Sequence, residues 1–336
     1  MSHTITLTPD DSTFEVQAGE TILQAATRNG LNLPHSCQSG ICGQCKAKVL
    51  SGSVTQSEYS KQALSDEEAA DGNVLLCCSH SESDVTLSIP NYSGANMPQV
   101  RTLPARVSSV EYIANTAIVN LALPKAPPFD FLAGQYIDIL LKNGTRSYSL
   151  ASQPSERGEI QLHIRKRDNG LFSNMLFAEE PIIKEKTIMR IRGPLGTFTL
   201  KENDDAPMIL LATGTGFAPI YSILQQLKES GSTRAVHLYW GARYDEDLYY
   251  KKEAAALCAE LPNAKFTPVL SCPHDYWQGK SGYVQDLALQ DYPDLSQHQV
   301  YACGSAGMIF AARDLFCQKA GLRSEQFFSD TFTAAH

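Results

Sequence analysis

Apolar residues recur along this chain at changing intervals, and the changes divide it. In the first ninety residues short alternating runs dominate. Ile5 and Leu7, then Phe14 and Val16, flank Asp10, Asp11 and Ser12, a pattern that predicts a hairpin. Thr21, followed three residues later by Gln24, predicts a capped helix over Ile22 to Arg28, stopped by Asn29 and Gly30. Ser65 with Glu68 predicts a second small helix, Val74 to Cys77 a strand, and the alternation of Val85, Leu87 and Ile89 a closing strand. From Ala105 to Leu200 the two-residue period returns in segments such as Ile137, Ile139, Leu141 and Ile160, Leu162, Ile164. Gly, Pro and Asn separate these segments, which predicts a small antiparallel barrel. Beyond Asp204 and Asp205 the strands become continuous apolar runs: Met208 to Leu211, Val236 to Tyr239, and Val300 to Tyr301. Helical stretches alternate with them, one from about Pro219 to Lys228, and this order predicts a doubly wound parallel sheet.

The run between Pro90 and Pro104 is rich in Pro, Gly and small polar residues and holds no period, as a linker does. The expected organisation is therefore an α+β multidomain chain: residues 1–92, a linker over 93–103, a barrel domain over 104–201 and a parallel-sheet domain over 202–336.

Composition narrows the chemistry. With 336 residues, 43% apolar and 19% charged, the chain has the make-up of folded domains. A formal net charge of -8 argues against a role gripping nucleic-acid phosphates. No stretch approaches the roughly 18 apolar residues of a membrane span. The N-terminus lacks the basic start and apolar run of a secretory signal, so a cytoplasmic protein is expected. In that compartment nine cysteines point to metal or redox chemistry rather than to disulfides.

Their placement supports this. Cys37, Cys42 and Cys45 follow the spacing C-x4-C-x2-C, and Cys77 comes 31 residues later, the plant-type pattern for a [2Fe-2S] cluster. Gly40 and Gly43 lie between the ligands and let the loop turn its N–H groups toward the sulfurs. Structural zinc is the competing reading, but it more often uses two short ligand pairs than three cysteines in one loop. Cys78 rivals Cys77 as fourth ligand. Cys77 is favoured, because neighbours on a strand point to opposite sides.

Two further motifs concern organic cofactors. Arg146-Ser147-Tyr148-Ser149-Leu150 offers a positive charge, a flat ring and a hydroxyl, the needs of a flavin's pyrophosphate, isoalloxazine and N5. Gly170 and Ser173 supply a turn and a hydroxyl for phosphate. Gly214-Thr215-Gly216 lies between a strand and a helix, where glycines admit a pyrophosphate. Cys303 and Gly304 end a later strand, where a small thiol suits the edge of a nicotinamide. The bland alternative for Cys303, and the expected fate of Cys258 and Cys317, is a small buried hydrophobe. Cys272 has no evident role. Tyr148, Ser149 and Cys303 are the catalytic candidates. His163 and Arg165 on a barrel strand, and Met308 after the Cys303-Gly304 pair, join the cofactor-binding set.

In this order the motifs resemble the iron-sulfur flavoprotein reductases, a plant-type ferredoxin joined to a ferredoxin-NADP reductase-like module. YACGSAGMI, AARDLF, FFSDTF, AGQYIDI and RSYSLA make the likeness strongest to the CDP-6-deoxy-3,4-glucoseen reductases. Phenol hydroxylase and benzoate dioxygenase reductases share the layout. The resemblance implies a β-grasp fold for the ferredoxin domain and cluster ligation by Cys37, Cys42, Cys45 and Cys77. It implies FAD contacts from Arg146, Tyr148, Ser149, Gly170, Ser173 and the C-terminal Phe332. Gly214, Thr215, Gly216, Cys303 and Gly304 would bind the pyridine nucleotide. Thr213 and Ser305 depart from residues common among relatives, Gly and Pro.

The implied reaction carries electrons from NADH through FAD and the cluster to a partner protein, either a pyridoxamine-dependent dehydrase or a Rieske or diiron oxygenase component. A non-enzymatic zinc module is the alternative from another class. NADH is favoured over NADPH because Arg243, which could pair with a 2'-phosphate, stands beside Asp245, Glu246 and Asp247. Over residues 1–95 eleven acids face four bases, so the ferredoxin domain is expected to dock on a basic patch of the acceptor.

Overall fold

The computed structural model describes residues 2–9, 11–89, 92, 97–154, 158–201 and 204–332. Asp10 of the expected hairpin turn, Pro90 and positions 93–96 of the expected linker lie outside the described residues. The chain forms two compact units, residues 1–101 with 193–197, and residues 102–192 with 198–336.

In the first unit β1 (His3–Thr8) and β2 (Thr13–Val16) make the expected hairpin, burying Ile5, Leu7, Phe14 and Val16 on one face. Next comes α1 (Ile22–Arg28). Its Thr21 hydroxyl accepts from Gln24 N–H at 3.2 Å while the Gln24 side chain accepts from Thr21 N–H at 2.9 Å, satisfying two donors that a helix start leaves open. The remaining elements are β3 (Lys46–Ser51), β4 (Val54–Gln56), α2 (Asp66–Ala70), β5 (Asn73–Leu75), β6 (Ser79–Ser81) and β7 (Val85–Ser88). The Ser65–Glu68 box caps α2 in the same way as α1. Five strands form a mixed sheet in the order β2-β1-β7-β3-β5, with β1 and β7 parallel, and β4 pairs with β6 apart from it. Ile22, Leu23, Ala25 and Ala26 of α1 pack into the core under this sheet.

Next come β8 (Arg101–Ile113), β9 (Thr116–Ala122), β10 (Tyr136–Leu141), β11 (Gly144–Ser149), β12 (Glu159–Arg165), α3 (Ser173–Phe177) and β13 (Ile188–Leu195), which belong to the second unit except for Arg101 and residues 193–195. The six strands run β11-β10-β13-β8-β9-β12. An antiparallel bridge between Leu150, just past β11, and Leu162 on β12 joins the two edges and closes the barrel.

The parallel sheet follows: β14 (Met208–Thr213), α4 (Phe217–Glu229), β15 (Val236–Ala242), α5 (Lys251–Glu260), β16 (Ala264–Leu270), β17 (Lys280–Ser281), α6 (Val284–Asp291), β18 (Gln299–Ser305), α7 (Ala306–Lys319) and β19 (Phe327–Phe332). Its order is β17-β16-β15-β14-β18-β19. The chain progresses outward from β14 in one direction and returns to its other side with β18. The switch between β14 and β18 is where such sheets open a crevice at their carboxyl ends.

Barrel and parallel sheet share a core. Ile118, Ala133 and Phe198 from the barrel side pack with Phe217, Leu224, Trp240 and Tyr301. Polar bonds cross the same seam. Buried His163 on β12 meets the Tyr249 hydroxyl at 2.8 Å through Nδ1 and Gln161 Oε1 at 3.0 Å through Nε2. Burial pushes the His163 pKa down to about 3. Since the unfolded chain would take up that proton near pH 6.5, the neutral imidazole's contribution is complete above about 6.5 and is lost as pH falls from there toward 3. Unfolding free energy should therefore decline in that window by about 1.4 kcal/mol per pH unit on account of this group. His163→Gln should flatten the decline, as measured by denaturant titration at several pH values; an unaltered slope would count against the assignment.

Candidate functional site

The cysteine loop from Cys37 to Cys45 is organised around its sulfurs. Cys37 Sγ accepts from the N–H groups of Ser39, Ile41 and Cys42 at 3.5, 3.4 and 3.3 Å. Hydrogen bonding from Cys42, then from the backbone of Ser39 and Ile41, draws the Cys37 thiol down to about 5, while Cys42 is pushed up. This geometry needs left-handed backbone at Gly40 and Gly43, with φ of +71° and +75°. A Cβ on Gly43 would lie 2.7 Å from the Ala63 carbonyl oxygen.

Cys77 closes the site from the other side, its sulfur 3.3 Å from that of Cys45. The sulfurs thus come as two pairs, Cys37 with Cys42 and Cys45 with Cys77. Two irons, each taking two thiolates, require that division, whereas a single zinc requires four sulfurs around one point. Among the described residues no three His, Cys, Asp or Glu side chains converge on one ion position. The donor set fits a [2Fe-2S] cluster in sulfur chemistry, pairing and supply of N–H donors.

One expectation fails here. The strand β5 ends at Leu75, and Leu76 to Cys78 form a turn, with Cys78 N–H bonded to Leu75 O at 2.9 Å. Alternation does not apply in a turn, so both sulfurs point inward, 3.6 Å apart. The sulfur that pairs with Cys45 is that of Cys77, at 3.3 Å, so proximity to Cys45 and not strand geometry favours it.

On the barrel, β11 carries Arg146, Tyr148 and Ser149, and the Tyr148 ring lies 5.6 Å from that of Phe172 at 49°. Burial pushes the Tyr148 phenol up to about 12, against the pull of Arg146 and Arg167. The Ser173 hydroxyl engages the Arg167 backbone at both N and O, at 3.2 and 3.3 Å. A Cβ at Gly170 would stand 2.2 Å from that hydroxyl. Tyr148 thus lies against Phe172, and Gly170 and Ser173 against Arg167, while the Arg146 guanidinium donates to Thr145 O at 2.8 Å. His163 is not free in the same way, because both its ring nitrogens are engaged across the seam.

At the sheet's switch point the Gly214–Gly216 turn follows β14 directly. Gly214 has φ +55°, and its carbonyl accepts from Trp240 Nε1 at 3.0 Å. Arg165 reaches over this turn from the barrel and pairs with Asp247 at 2.7 Å. Arg165, Gly214, Thr215, Glu246, Asp247 and Tyr249 line a cleft here. Cys303 is buried at the end of β18, and burial holds its thiol neutral. Thr213 Oγ1 accepts from Ser305 N–H at 3.0 Å, so the two positions that depart from the common pattern are bonded to each other.

The other expected residues scatter. Met308 packs in the core with Ile209, Leu211 and Ala302, so its side chain belongs to the sheet's interior; only its N–H, bonded to the Ser305 hydroxyl at 3.4 Å, serves the turn. Arg243 is exposed beyond β15. The three acids beside it are not equivalent: Lys251 pairs with Asp245 at 2.5 Å and Arg165 with Asp247, leaving Glu246 exposed. Phe332 lies on β19 opposite Ser305, and the same register sets Asp330, buried, opposite Cys303. Asp330 lies within the FFSDTF stretch that the sequence marks, but its place opposite Cys303 carried no signal there, since only the pairing of β18 with β19 brings it about. Cys258 is buried in the core and Cys272 is exposed.

Three family models match the chain in succession. A 2Fe-2S iron-sulfur cluster binding domain matches residues 5–82, an oxidoreductase FAD-binding domain 104–200 and an oxidoreductase NAD-binding domain 210–314. The chain is 40% identical over 333 residues to the CDP-6-deoxy-L-threo-D-glycero-4-hexulose-3-dehydrase reductase of Yersinia pestis, with 99% of each chain covered. It is 36% identical over 348 residues to the reductase component of propane 2-monooxygenase from Rhodococcus jostii, covering 99% of this chain and 92% of that one. The crystal structure of an Amycolatopsis cytochrome P450 reductase superposes with a TM-score of 0.82 at 31% identity, covering 99% of this chain and 100% of the other.

Proposed function

Because the chain belongs to the iron-sulfur flavoprotein reductases, which join 2Fe-2S, FAD-binding and NAD-binding domains in one polypeptide, we propose that its electrons go to a pyridoxamine-dependent dehydrase acting on a nucleotide-linked deoxysugar. The observation that carries this reading is the 40% identity to the Yersinia pestis reductase from end to end. A second reading, service to an oxygenase component, draws on the propane monooxygenase reductase and the P450 reductase. The proposed domains are 1–92, 104–201 and 202–336, with residues 93–103 as linker, and the proposed setting is the cytoplasm; among the described residues no helix is long and apolar enough to cross a membrane.

A bound flavin would supply the conversion between the two electrons of a hydride donor and the single electrons that a [2Fe-2S] cluster can accept. The protein's part is to bind and orient. We assign the flavin's aromatic partner to Tyr148, braced by Phe172 and kept protonated by burial. Arg146 and Arg167 supply positive charge for its diphosphate, and Ser149 a hydroxyl. The Gly214–Gly216 turn, at the start of α4, offers N–H groups to the diphosphate of the nucleotide. Cys303, small and neutral, leaves room for the nicotinamide. Asp330 joins the candidates through its register with Cys303. NADH is the proposed donor, on a narrower basis than the sequence offered: Glu246 alone of the three acids stays exposed to oppose a 2'-phosphate.

The test is reconstitution. Purified protein, a dehydrase with its sugar substrate, and NADH should together give nucleotide oxidation coupled to deoxygenated sugar, with lower kcat/KM for NADPH. Turnover with an oxygenase component and none with the dehydrase would favour the second reading.

Charge bears on how the acceptor docks. Between residues 2 and 89 every cationic side chain is already paired: Arg28 with Glu20, Lys46 with Glu68, Lys48 with Asp71, and Lys61 with Asp66. Glu58 and Glu67 remain exposed, and the residue after Glu58, Tyr59, packs against Gly40 of the cysteine loop. Transfer to a basic acceptor should therefore slow severalfold as salt rises from low to about 0.5 M, while reduction of a small neutral acceptor holds steady. Stopped-flow rates at several ionic strengths check this, and equal salt responses would contradict an acidic docking face.

A further inference from the structure

We infer that Cys78, which the electron path leaves without a task, serves the iron-sulfur site as a hydrogen-bond donor to the sulfur of Cys77. The inference rests on Cys77 being the fourth ligand. Cys78 is 4% exposed, and its sulfur lies 3.6 Å from Cys77 Sγ. On its other flank is Gly40, where a Cβ would come within 2.7 Å of the Cys78 sulfur, so the missing side chain of Gly40 makes the space that Cys78 fills. The backbone is pinned as well. Ser57 donates to the Cys78 carbonyl through its N–H at 2.8 Å and its hydroxyl at 3.2 Å, and Cys78 N–H is bonded to Leu75 O.

Between two thiols either sulfur could donate. A cysteine bound to iron has given up its proton, so with Cys77 as ligand the only proton on this contact is that of Cys78. Burial keeps water from taking its place. The cluster becomes more negative on reduction, and a donor to a ligand sulfur stabilises the more negative form. Cys78 therefore raises the cluster's reduction potential and favours electron arrival from the flavin. On the other iron, Cys37 receives this service from backbone N–H groups. At Cys77 a side chain supplements the backbone, which makes the effect accessible to mutation.

The experiment is a redox titration of the full-length holoprotein, followed by electron paramagnetic resonance of the reduced cluster, with iron content measured in parallel. Cys78→Ala should keep two irons per chain and shift the midpoint to a more negative value, by an amount corresponding to roughly two- to tenfold in the equilibrium constant for cluster reduction, the net range of one hydrogen bond. Cys78→Ser, which keeps a donor, should recover most of the shift. An unchanged midpoint in Cys78→Ala, or an equal shift in both variants, would overturn the donor role. The ligand assignment fails differently: Cys78→Ala would then lose iron while Cys77→Ala kept it.

Discussion

Cys42→Ser is expected to separate the two halves of the electron path. Transfer to one-electron protein acceptors should fall at least about a hundredfold, while NADH-dependent reduction of ferricyanide should stay within about twofold of wild type, because the organic cofactors, not the cluster, carry the first step. Cys42 is 3% exposed, and its side chain is hydrogen-bonded to that of Cys37, the pair proposed to hold one iron. Serine offers that iron a harder ligand and removes a thiolate from a buried site. Its N–H bond to Cys37 would survive, so the loop should keep its course. The residues assigned to FAD and the nucleotide all belong to the second unit. Iron content, visible absorbance and the two assays on one preparation give the result; loss of both activities, or retention of both, would contradict the order of centres.

Gly216→Ala should produce the complementary defect: reduction by NADH should drop by about two orders of magnitude, with iron content unchanged and the cluster still reducible by dithionite. The reason is steric. A Cβ at this position would lie 2.3 Å from the Cys303 carbonyl oxygen, 2.5 Å from its carbon and 2.7 Å from Gly304 Cα. All three are backbone atoms on the strand next to β14, so no side chain can swing aside. The methyl must push the Gly214–Gly216 turn away from the Cys303-Gly304 end, where the nucleotide is to be held. Overpacking of this kind costs about 1–3 kcal/mol in stability, and a misplaced reacting geometry costs more in rate. Gly214→Ala is the control. There a Cβ meets only the Arg165 guanidinium, at 3.6 Å, and the penalty is that of a left-handed residue, with φ +55°. Rapid-mixing measurement of flavin reduction in both variants tests the difference, and equal losses would point to the turn's backbone conformation instead.

What could be read in advance was what local sequence decides. The Thr21–Gln24 and Ser65–Glu68 boxes form as expected because each closes within four residues. The barrel and sheet strands follow their alternating and continuous patterns because those patterns record which faces are buried. The cysteine spacing specified its chemistry because three cysteines share one loop. The misses share a different cause. Cys78 turns inward because the chain bends after Leu75 against Cys45, whose carbonyl accepts from Leu76 N–H at 3.0 Å, a contact 31 residues away in sequence. Asp330 reaches Cys303 only through parallel register. Arg165 pairs with Asp247 across 82 positions, so of the three neighbouring acids fewer are free to oppose a 2'-phosphate than their spacing suggests.

The core shared by barrel and parallel sheet has a practical consequence for building hybrids. A cut near residue 201 looks inviting, because a family model ends there and another begins soon after. Yet a nucleotide module transplanted at that seam would leave Ile118, Ala133 and Phe198 behind, along with the hydroxyl acceptor His163 provides for Tyr249. Each is a surface that a foreign barrel would have to reproduce. Exchanging cofactor preference by swapping whole modules should therefore carry the barrel along, and the pair behaves as one heritable block whose two faces must change together.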